Sequence, residues 1–409
     1  MKTYEYIVVG GGPAGIFSAI YAGNLGIKTA ILEKKNKIGK KILISGSGQC
    51  NITHTGEVKE FLTKYGNHGK FLRTAIYKYS PKDLQKFFKD NGLELLPRED
   101  GKIFPKTKRS VDVVELLYTL CKKFNVDIIE ECEVLTIKHK NNFTLNTTLG
   151  NFVSKNILLS TGGVTYPQTG SDGQGYSLAK NLGHKIIKPK PCLTPVYIKD
   201  FPFTNLAGIS FKNISISIFD ETKKNNESKG DILFTHKNLS GPGILDNSRY
   251  IKKGNKISFN FIDTTLEQFK ENFIKYTNDH GKNLTKTFLN TYNLPERFIK
   301  HILFVAEISE CLKISSLNKK MRDNLGKLLI DYQYEITKLD GIDVGMATNG
   351  GINLKEIDSK TMESKLIKGL YFGGEIMDID GDTGGYNIQA AISTGILAAR
   401  NIKIVNDRK

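Results

Sequence analysis

Tryptophan and paired cysteines are missing from this sequence of 409 residues, and so is any long apolar run. The five cysteines, at positions 50, 121, 132, 192 and 311, form no C-x-x-C pair and are odd in number. This argues against a disulfide framework and a zinc site, so we predict no metal site. No apolar run approaches the roughly 18 residues that cross a bilayer, and MKTYEYIVVGGG has the pattern of a first β-strand, not of a signal peptide. We therefore expect a cytoplasmic protein with no membrane partner.

Acidic residues are in the minority. The 59 Lys and Arg outnumber the 42 Asp and Glu and give a formal net charge of +17. An excess of this size attracts polyanions, so RNA is one expected partner. A Lys- and Asn-rich genomic bias is the alternative explanation, because no single basic block dominates. The oligomeric state is left open.

The order of the patterns predicts an α/β protein. An apolar run at 4–9 leads into a glycine turn, a helical pattern follows, and a second apolar run ends at Glu33. Strand, turn, helix and strand predict a β-α-β unit with a parallel sheet. Short β-rich runs and helical patterns fill 191–344, and glycine-rich α/β character returns afterwards. The simplest architecture is a cofactor domain formed by 1–190 and 345–409, with a β-rich and helical domain inserted at 191–344.

The segment Gly10-x-Gly12-x-x-Gly15 has the spacing of a dinucleotide-binding turn. It follows a predicted strand and precedes a predicted helix, which is the context that this motif requires. Gly10 permits the tight turn, Gly12 lets a pyrophosphate approach the main chain, and Gly15 allows close helix–strand packing. Free N–H groups at the helix start hold the phosphates, and Glu33 accepts hydrogen bonds from the ribose. The motif therefore predicts these cofactor-binding residues: Gly10, Gly12, Pro13, Ala14, Gly15 and Glu33.

The same turn serves NAD and FAD, so other glycine clusters must decide between them. At 369–387, GLYFGGEIMDIDGDTGGYN places a strand, two glycines, two acids and a glycine turn before the last helix. FAD enzymes commonly bind the ribityl chain with such a segment, and the next helix N-terminus stabilises negative charge on the flavin. Thr161 and Gly162, after a buried strand, are expected on the adenine side. Each cluster alone is also an ordinary turn, but three together favour FAD.

Several long strings carry a family resemblance. GKKILISGSGQCN at 39–51, STGGVTYPQTGSDGQGY at 160–176 and GDILFTHKNLSGPGIL at 230–245, with 369–387, resemble the BaiN/RdsA-type NAD(P)/FAD-dependent flavoproteins along almost the whole chain. The resemblance implies a Rossmann-like, glutathione-reductase-like FAD-binding domain with an inserted β-barrel-like and helical domain. It also implies a set of residues along FAD: Glu33, Lys34, Lys41, Ser45, Gly46, Asn51, Val134, Thr161, Gly374, Glu375, Gly385, Tyr386 and Asn387.

The sequence departs from the family inside SGSGQCN. The family usually has two glycines where this chain has Gly46-Ser47, an arginine where it has Gln49, and often an asparagine where it has His54. Without that arginine a fixed positive charge is missing near the cofactor or substrate, so no role of it carries over to Gln49.

The resemblance also implies a reaction. Members are linked to reduction of conjugated C=C bonds by hydride transfer at flavin N5, with NAD(P)H as donor. The proton donor is open: Cys50 and Tyr166 are the candidate catalytic acids, although each also fits a packing role. His184 and His236 are expected to be hydrogen-bonded structural histidines.

The charge favours uridine in 23S ribosomal RNA as substrate, with the inserted domain offering an RNA surface. Two alternatives stay open. One is a small-molecule enone reductase or aminoacetone-type amine oxidase, and the other is a non-catalytic FAD-bound RNA or ribosome-associated factor.

Overall fold

The fold was described from a computed structural model, which covers residues 1–407. The strands, in chain order, are β1 (Lys2–Val9), β2 (Thr29–Leu32), β3 (Thr53–His54), β4 (Leu95–Pro97), β5 (Lys102–Pro105), β6 (Asp127–Ile129), β7 (Val134–His139), β8 (Phe143–Thr147), β9 (Gly150–Leu159), β10 (Ile186–Cys192), β11 (Val196–Ile198), β12 (Ser210–Asp220), β13 (Lys223–Phe234), β14 (Leu239–Ser240), β15 (Lys256–Asn260), β16 (Tyr334–Leu339), β17 (Ala347–Ile352) and β18 (Leu370–Phe372).

Several helices begin at a side-chain cap or a proline. Ser80 and Thr265, for example, cap their helices by accepting a hydrogen bond from the main-chain N–H three residues on. In chain order the helices are α1 (Pro13–Asn24), α2 (Lys40–Ile44), α3 (Val58–Thr63), α4 (Gly69–Lys78), α5 (Pro81–Asp90), α6 (Ser110–Lys123), α7 (Gln174–Asn181), α8 (Pro242–Asn247), α9 (Leu266–His280), α10 (Thr285–Asn290), α11 (Glu296–Val305), α12 (Lys319–Ile330) and α13 (Tyr386–Asp407).

The first compact unit contains Met1–Cys192 and the chain from Gly341 onward. Its main sheet has the order β6-β2-β1-β9-β8-β7, and β18 also pairs with β9. The β6-β2-β1-β9 pairs and the β9-β18 pair are parallel, whereas β7, β8 and β9 form the antiparallel meander that the alternating sequence predicts. Strands β2 and β18 are buried along their whole length, as strands covered by helices on both faces are, whereas β6 at the edge of the sheet is partly exposed.

Helices α1 and α13 approach closely in this unit. Gly395 makes the approach possible, because a Cβ there would lie 2.2 Å from the carbonyl oxygen of Ala14. The last helix of the chain is therefore packed on the first turn of the helix that follows the glycine motif.

The second unit, Leu193–Asp340, contains a closed barrel of strands in the order β11-β14-β13-β12-β15-β16. Aromatic rings fill its core: Phe203 and Phe234 stack with their centroids 4.2 Å apart, and Phe298 on α11 packs on Phe211. Barrel closure removes exposed strand edges, and helices α9 to α12 complete this unit's own hydrophobic core.

A Rossmann-like domain with an inserted β-barrel and helical domain is therefore confirmed. The boundaries between the two units lie at Cys192/Leu193 and Asp340/Gly341. The sequence patterns predicted these boundaries after residues 190 and 344. Within residues 1–407, no helix has the length and apolar character needed to pass through a bilayer.

Candidate functional site

The glycine turn after β1 leaves space for a ligand at one position only. Gly10 has φ +101°, and a Cβ there would lie 2.7 Å from the Ser160 carbonyl oxygen. At Gly15 a Cβ would lie 2.1 Å from the Gly10 carbonyl oxygen. A Cβ at Gly12 would meet nothing closer than 4.0 Å, and Gly12 offers no side-chain cap to α1, which begins at Pro13. The unpaired N–H groups of that first turn therefore face room for a phosphate.

Glu33 ties the end of β2 to this turn. One carboxylate oxygen accepts the Gly11 N–H at 2.8 Å, and the other accepts the Lys35 N–H at 2.8 Å. Burial is the main influence on this carboxyl and raises its pKa, while the two N–H bonds and neighbouring lysines act in the opposite direction. A carboxylate can accept about four hydrogen bonds, so Glu33 keeps acceptor positions for ribose hydroxyls. The Lys34 ammonium instead pairs with Asp172 at 2.6 Å.

Thr161 follows β9, and its hydroxyl oxygen is enclosed without a hydrogen-bond partner among the described side chains, residues 1–402. That oxygen faces α7, where a Cβ on Gly175 would lie 1.8 Å from it, so only the rest of this half-buried residue could face a ligand. Gly162, beside it, has φ +76°. Val134 at the start of β7 has a buried side chain, so only its main chain could face a ligand.

Lys41 and Glu375, both predicted to lie along the cofactor, bind each other. Lys41 Nζ lies 2.7 Å from Glu375 Oε2 and 3.0 Å from Thr165 Oγ1. The other oxygen of Glu375 accepts the Thr348 N–H at 2.7 Å. The pair connects α2, β17 and the segment after β18. In that segment Gly374 lies close to Ala14, because a Cβ added to Gly374 would be 3.1 Å from the Ala14 Cβ. Gly374 therefore lies at the start of α1.

The SGSGQCN loop has an unusual main-chain conformation. Gly46 and Ser47 are left-handed, at φ 54° and 56°, and Gly48 and Cys50 also have positive φ. Ser45 Oγ donates to the Ile42 carbonyl at 2.8 Å. Gly46, Ser47 and Gly48 are exposed, so the loop presents main chain to its surroundings.

Asn51 joins this loop to the start of α13. In the amide orientation that satisfies both ends, Asn51 donates to the Thr53 carbonyl at 3.0 Å and accepts the Gly385 N–H at 3.1 Å. The Asn387 amide closes the preceding glycine loop, since it both donates to and accepts from the main chain of Gly381. Tyr386 stacks on His54, with centroids 5.2 Å apart. The N-terminus of a 22-residue helix, which carries partial positive charge, is thereby fixed beside the loop.

Together these residues fit a dinucleotide: an open phosphate cradle, a carboxylate at the ribose position, and a helix start at the far end. The comparisons with known proteins agree. Residues 4–401 match the family described as HI0933-like protein Rossmann domain. This chain belongs to that family.

Two curated relatives cover nearly all of both chains. Ribosomal RNA dihydrouridine synthase of Escherichia coli (strain K12) is 28% identical over 408 residues, 98% of each chain. The 3-dehydro-bile acid delta(4,6)-reductase of Clostridium scindens is 29% identical over 403 residues, 96% of this chain and 97% of the relative. Among solved structures, 3-ketosteroid-delta4-(5alpha)-dehydrogenase from Rhodococcus jostii RHA1 covers 97% of each chain with a TM-score of 0.50 and 14% identity. The family and fold expected from the sequence are thus confirmed, and the relatives' names agree with the expectation of an enzyme.

The two candidate acids have different surroundings. The Cys50 thiol is only 1% exposed and is enclosed by protein atoms. Burial raises its pKa to about 12, against a smaller opposite effect of a hydrogen bond with Ser45. This geometry favours packing over proton donation. Tyr166, left-handed at φ 54° before Pro167, is half-buried, and its hydroxyl forms no hydrogen bond within residues 1–407.

Of the two histidines expected to be structural, only His184 is. Its ring nitrogens lie 3.2 Å from Glu356 Oε2 and 3.0 Å from Ser364 Oγ, and the side chain is buried. The prediction was wrong for His236, which is exposed and makes no hydrogen bond in the described part of the chain. It lies in a turn of the barrel unit between β13 and β14.

Sequence reasoning did not predict the contacts of two side chains at this loop. His54 Nδ1 and Nε2 lie 2.7 Å from the Thr55 carbonyl and 3.0 Å from the Asp100 carbonyl, which orients the ring against Tyr386. Arg98, in the turn between β4 and β5, reaches Gln49. No sequence pattern links these positions, because both contacts depend on the β3-β5-β4 sheet bringing its turn to the loop.

Proposed function

We propose that this protein is an FAD-dependent oxidoreductase that reduces a conjugated C=C bond, with NAD(P)H as the electron donor. The observation that carries the proposal is the open cradle at Gly12 beside the Glu33 carboxylate, in a chain of which 98% aligns with a ribosomal RNA dihydrouridine synthase and 96% with a bile acid reductase. When bound, FAD supplies hydride chemistry at N5.

The chain's own residues would divide the work along the cofactor. The first turn of α1 would bind the phosphates, Glu33 would bind the adenosine ribose, and Thr161 would lie on the adenine side. The main chain of Gly46 and Gly374 would hold the flavin half, and the N-terminus of α13 at Gly385 would stabilise negative charge on the ring. The Lys41–Glu375 pair would hold these segments together.

We favour uridine in 23S ribosomal RNA as the substrate. A full-length relative has that class of activity in its name, and the net charge of +17 suits a polyanion. Reduction of the uracil 5,6 double bond adds hydride to one carbon and a proton to the other. Tyr166 is the residue whose free hydroxyl is available to hold that proton.

A second candidate is reduction of a small enone, because the bile acid reductase is as similar as the synthase is. This reading predicts NAD(P)H-dependent turnover of a free enone without RNA. Amine oxidation predicts peroxide release from an amine, and a non-catalytic RNA factor predicts tight RNA binding by a flavin that NADH and NADPH cannot reduce.

The deciding experiment compares nucleosides of purified 23S rRNA from a gene-deletion strain and its parent by mass spectrometry. We expect dihydrouridine to be lost from one position and to return when purified protein and NADPH or NADH act on the deletion-strain rRNA. Unchanged dihydrouridine, in a strain with no second enzyme for that position, would refute the rRNA substrate. The same preparation assayed with an enone and with aminoacetone tests the small-molecule alternatives.

A further inference from the structure

Helix α4 presents a solvent face made of basic and aromatic side chains. Lys70, Arg73, Tyr77 and Lys78 are exposed, whereas Leu72, Ala75 and Ile76 are buried. The spacing of three, four and one places the exposed residues on one side of the helix. The buried side packs against α13. The exposed face is therefore available to a partner, and its side chains are basic and aromatic, not aliphatic.

No acidic side chain pairs with this face in the part of the chain whose side chains are described. No Asp or Glu occurs from residue 61 to residue 82. Among the side chains of residues 1–402, the lysines and the arginine of α4 take part in no ion pair, whereas Lys82 and Lys86 of α5 pair with Glu57 and Asp90. Surfaces designed for solubility intersperse charges of both signs. The α4 face carries one sign.

The acids that flank α4 in sequence are occupied as helix caps. Glu60 accepts the main-chain N–H of Glu57 at 3.2 Å, and Asp83 accepts that of Ser80 at 2.8 Å. Neither carboxylate turns toward a basic side chain of α4.

Tyr77 adds a stacking surface to the charge. Its side chain is 49% exposed, and the Arg73 guanidinium lies 6.0 Å from the ring centroid, one helical turn away. An exposed ring beside a guanidinium is the arrangement with which proteins hold unpaired bases next to their phosphates.

The segment that leads into α4 is bonded to the candidate site. Tyr65 Oη donates to the Tyr386 carbonyl at 2.9 Å, and the Asp382 N–H donates to the Lys64 carbonyl at 2.8 Å. His68 Nε2 lies 3.9 Å from Asp378. The α4 face therefore begins beside the glycine loop at 381–387 and extends away from it by about 15 Å, the length of ten helical residues.

Both units carry a net positive charge. Residues 1–192 and 341–409 contain 37 Lys and Arg against 25 Asp and Glu, a net +12, while 193–340 contain 22 against 17, a net +5. Because the first unit is also the longer one, net charge does not choose between the units, and the choice of α4 rests on its exposed face and its link to the glycine loop.

We propose that the solvent face of α4 binds the phosphodiester backbone of the substrate RNA strand, with Tyr77 stacking on an unpaired base. This inference rests on the proposed function and deepens it. Lys70, Arg73 and Lys78 hold phosphates, and the contact delivers the strand to the neighbouring glycine loop.

The test uses the flavin-loaded protein and an unmodified 23S rRNA transcript. The variant Lys70→Gln/Arg73→Gln/Lys78→Gln is compared with Lys319→Gln/Lys320→Gln/Lys327→Gln, which removes three exposed, unpaired charges from α12 and has the same net charge. Binding is measured over a series of KCl concentrations, together with dihydrouridine formation and with flavin reduction by NADPH in the absence of RNA.

We expect the α4 variant to bind the transcript about tenfold or more weakly. The slope of the logarithm of the binding constant against the logarithm of the KCl concentration should be smaller by about two, because each of the three lost phosphate contacts contributes about 0.7 to that slope. Its flavin reduction without RNA should equal that of the α12 control, which shows that the fold and cofactor site are intact. Tyr77→Ala should weaken binding by about fivefold or more while Tyr77→Phe does not, since stacking needs only the ring.

Three results would overturn the inference. If the α4 and α12 variants bind and modify the transcript equally, the surface is wrong while the proposed function stands. If the α4 variant fails only on ribosomal particles and not on naked transcript, the partner is an acidic protein. If the unaltered protein neither binds nor modifies any 23S transcript, the proposed function fails and the RNA assignment of α4 fails with it.

Discussion

Arg98 Nη2 donates a hydrogen bond to Gln49 Oε1 at 2.7 Å, and the same guanidinium lies 3.9 Å from the centroid of the Phe104 ring. Gln49 stands where the family usually has an arginine. A guanidinium is nevertheless present at this loop, supplied by a turn 49 residues further along the chain. Phe104 in turn borders Gly46, where a Cβ would lie 3.2 Å from the ring. The contact therefore supports the left-handed part of the loop.

Replacing Arg98 should loosen this loop. Arg98→Gln is expected to lower the free energy of unfolding by about 1 kcal/mol, the size of an exposed cation–π contact, and to speed the release of FAD. In the swapped double variant Gln49→Arg/Arg98→Gln the guanidinium comes from the loop itself, so FAD retention should recover. Flavin fluorescence on dilution measures release. A double variant that releases FAD as fast as Arg98→Gln would contradict this explanation.

The glycine turn allows a paired test of ligand against packing. Gly12→Ala should leave thermal unfolding of the cofactor-free protein unchanged, because its φ of −84° suits alanine and the space is open. It should weaken FAD binding roughly tenfold or more, since the added methyl fills the phosphate approach. Gly15→Ala should instead destabilise the protein by about 1–3 kcal/mol or more, because its Cβ overlaps the Gly10 carbonyl. Equal FAD affinity of Gly12→Ala and the unaltered protein would exclude this cradle.

Two neighbouring glycines separate main-chain conformation from close contact. Gly48→Ala has free space but φ +80°, so it should cost about 1–2 kcal/mol of stability. Gly46→Ala adds a Cβ 2.7 Å from the Asn51 nitrogen and should cost more, with lower FAD retention because Asn51 holds Gly385. Urea unfolding of both variants gives the comparison, and the reverse order of stabilities would be inconsistent with the loop geometry.

The candidate acids can be ranked by a matched pair of substitutions. Cys50→Ala should change turnover by no more than about fivefold, whereas Tyr166→Phe should lower it by about a hundredfold, the lower range for loss of a general acid. Flavin reduction by NADPH, which precedes proton donation to the substrate, should be unaffected in both. In the native protein a thiol reagent should modify exposed Cys311 quickly and buried Cys50 slowly. A large loss of turnover in Cys50→Ala would restore the thiol as the acid.

Glu33 should leave a signature in the pH dependence of stability. Its pKa is raised above the ordinary 4.5, chiefly by burial. Between the ordinary pKa and the raised pKa of the folded state, the folded protein keeps a proton that the unfolded chain has lost. The contribution of Glu33 to the free energy of unfolding therefore falls as the pH rises through this interval. In Glu33→Gln the fall should be absent. Urea unfolding of the cofactor-free proteins, from below pH 4.5 to neutral pH, compares them, and parallel curves would show that Glu33 is not perturbed.

The amino-acid sequence by itself determined the parts of this protein that depend on short-range pattern. Gly10, Gly12 and Gly15 lie within one turn, and the alternation that marks β8 and β9 is local. The inserted domain could also be predicted from the sequence, because its β-rich runs differ in composition from the flanking chain. These features need only the periods of strands and helices and the small size of glycine.

Tertiary structure alone decided which side chains meet. Lys41 and Glu375 are 334 residues apart and cancel each other's charge. Arg98 reaches Gln49 only because a small sheet folds back on the loop, and Cys50 is enclosed although its loop is exposed on either side of Ser47. Partner choice and burial arise from long-range packing, for which one sequence carries no local signal. The α4 face depends on both sequence and fold. Its charge follows from the sequence, but its connection to the glycine loop is formed only by the tertiary structure.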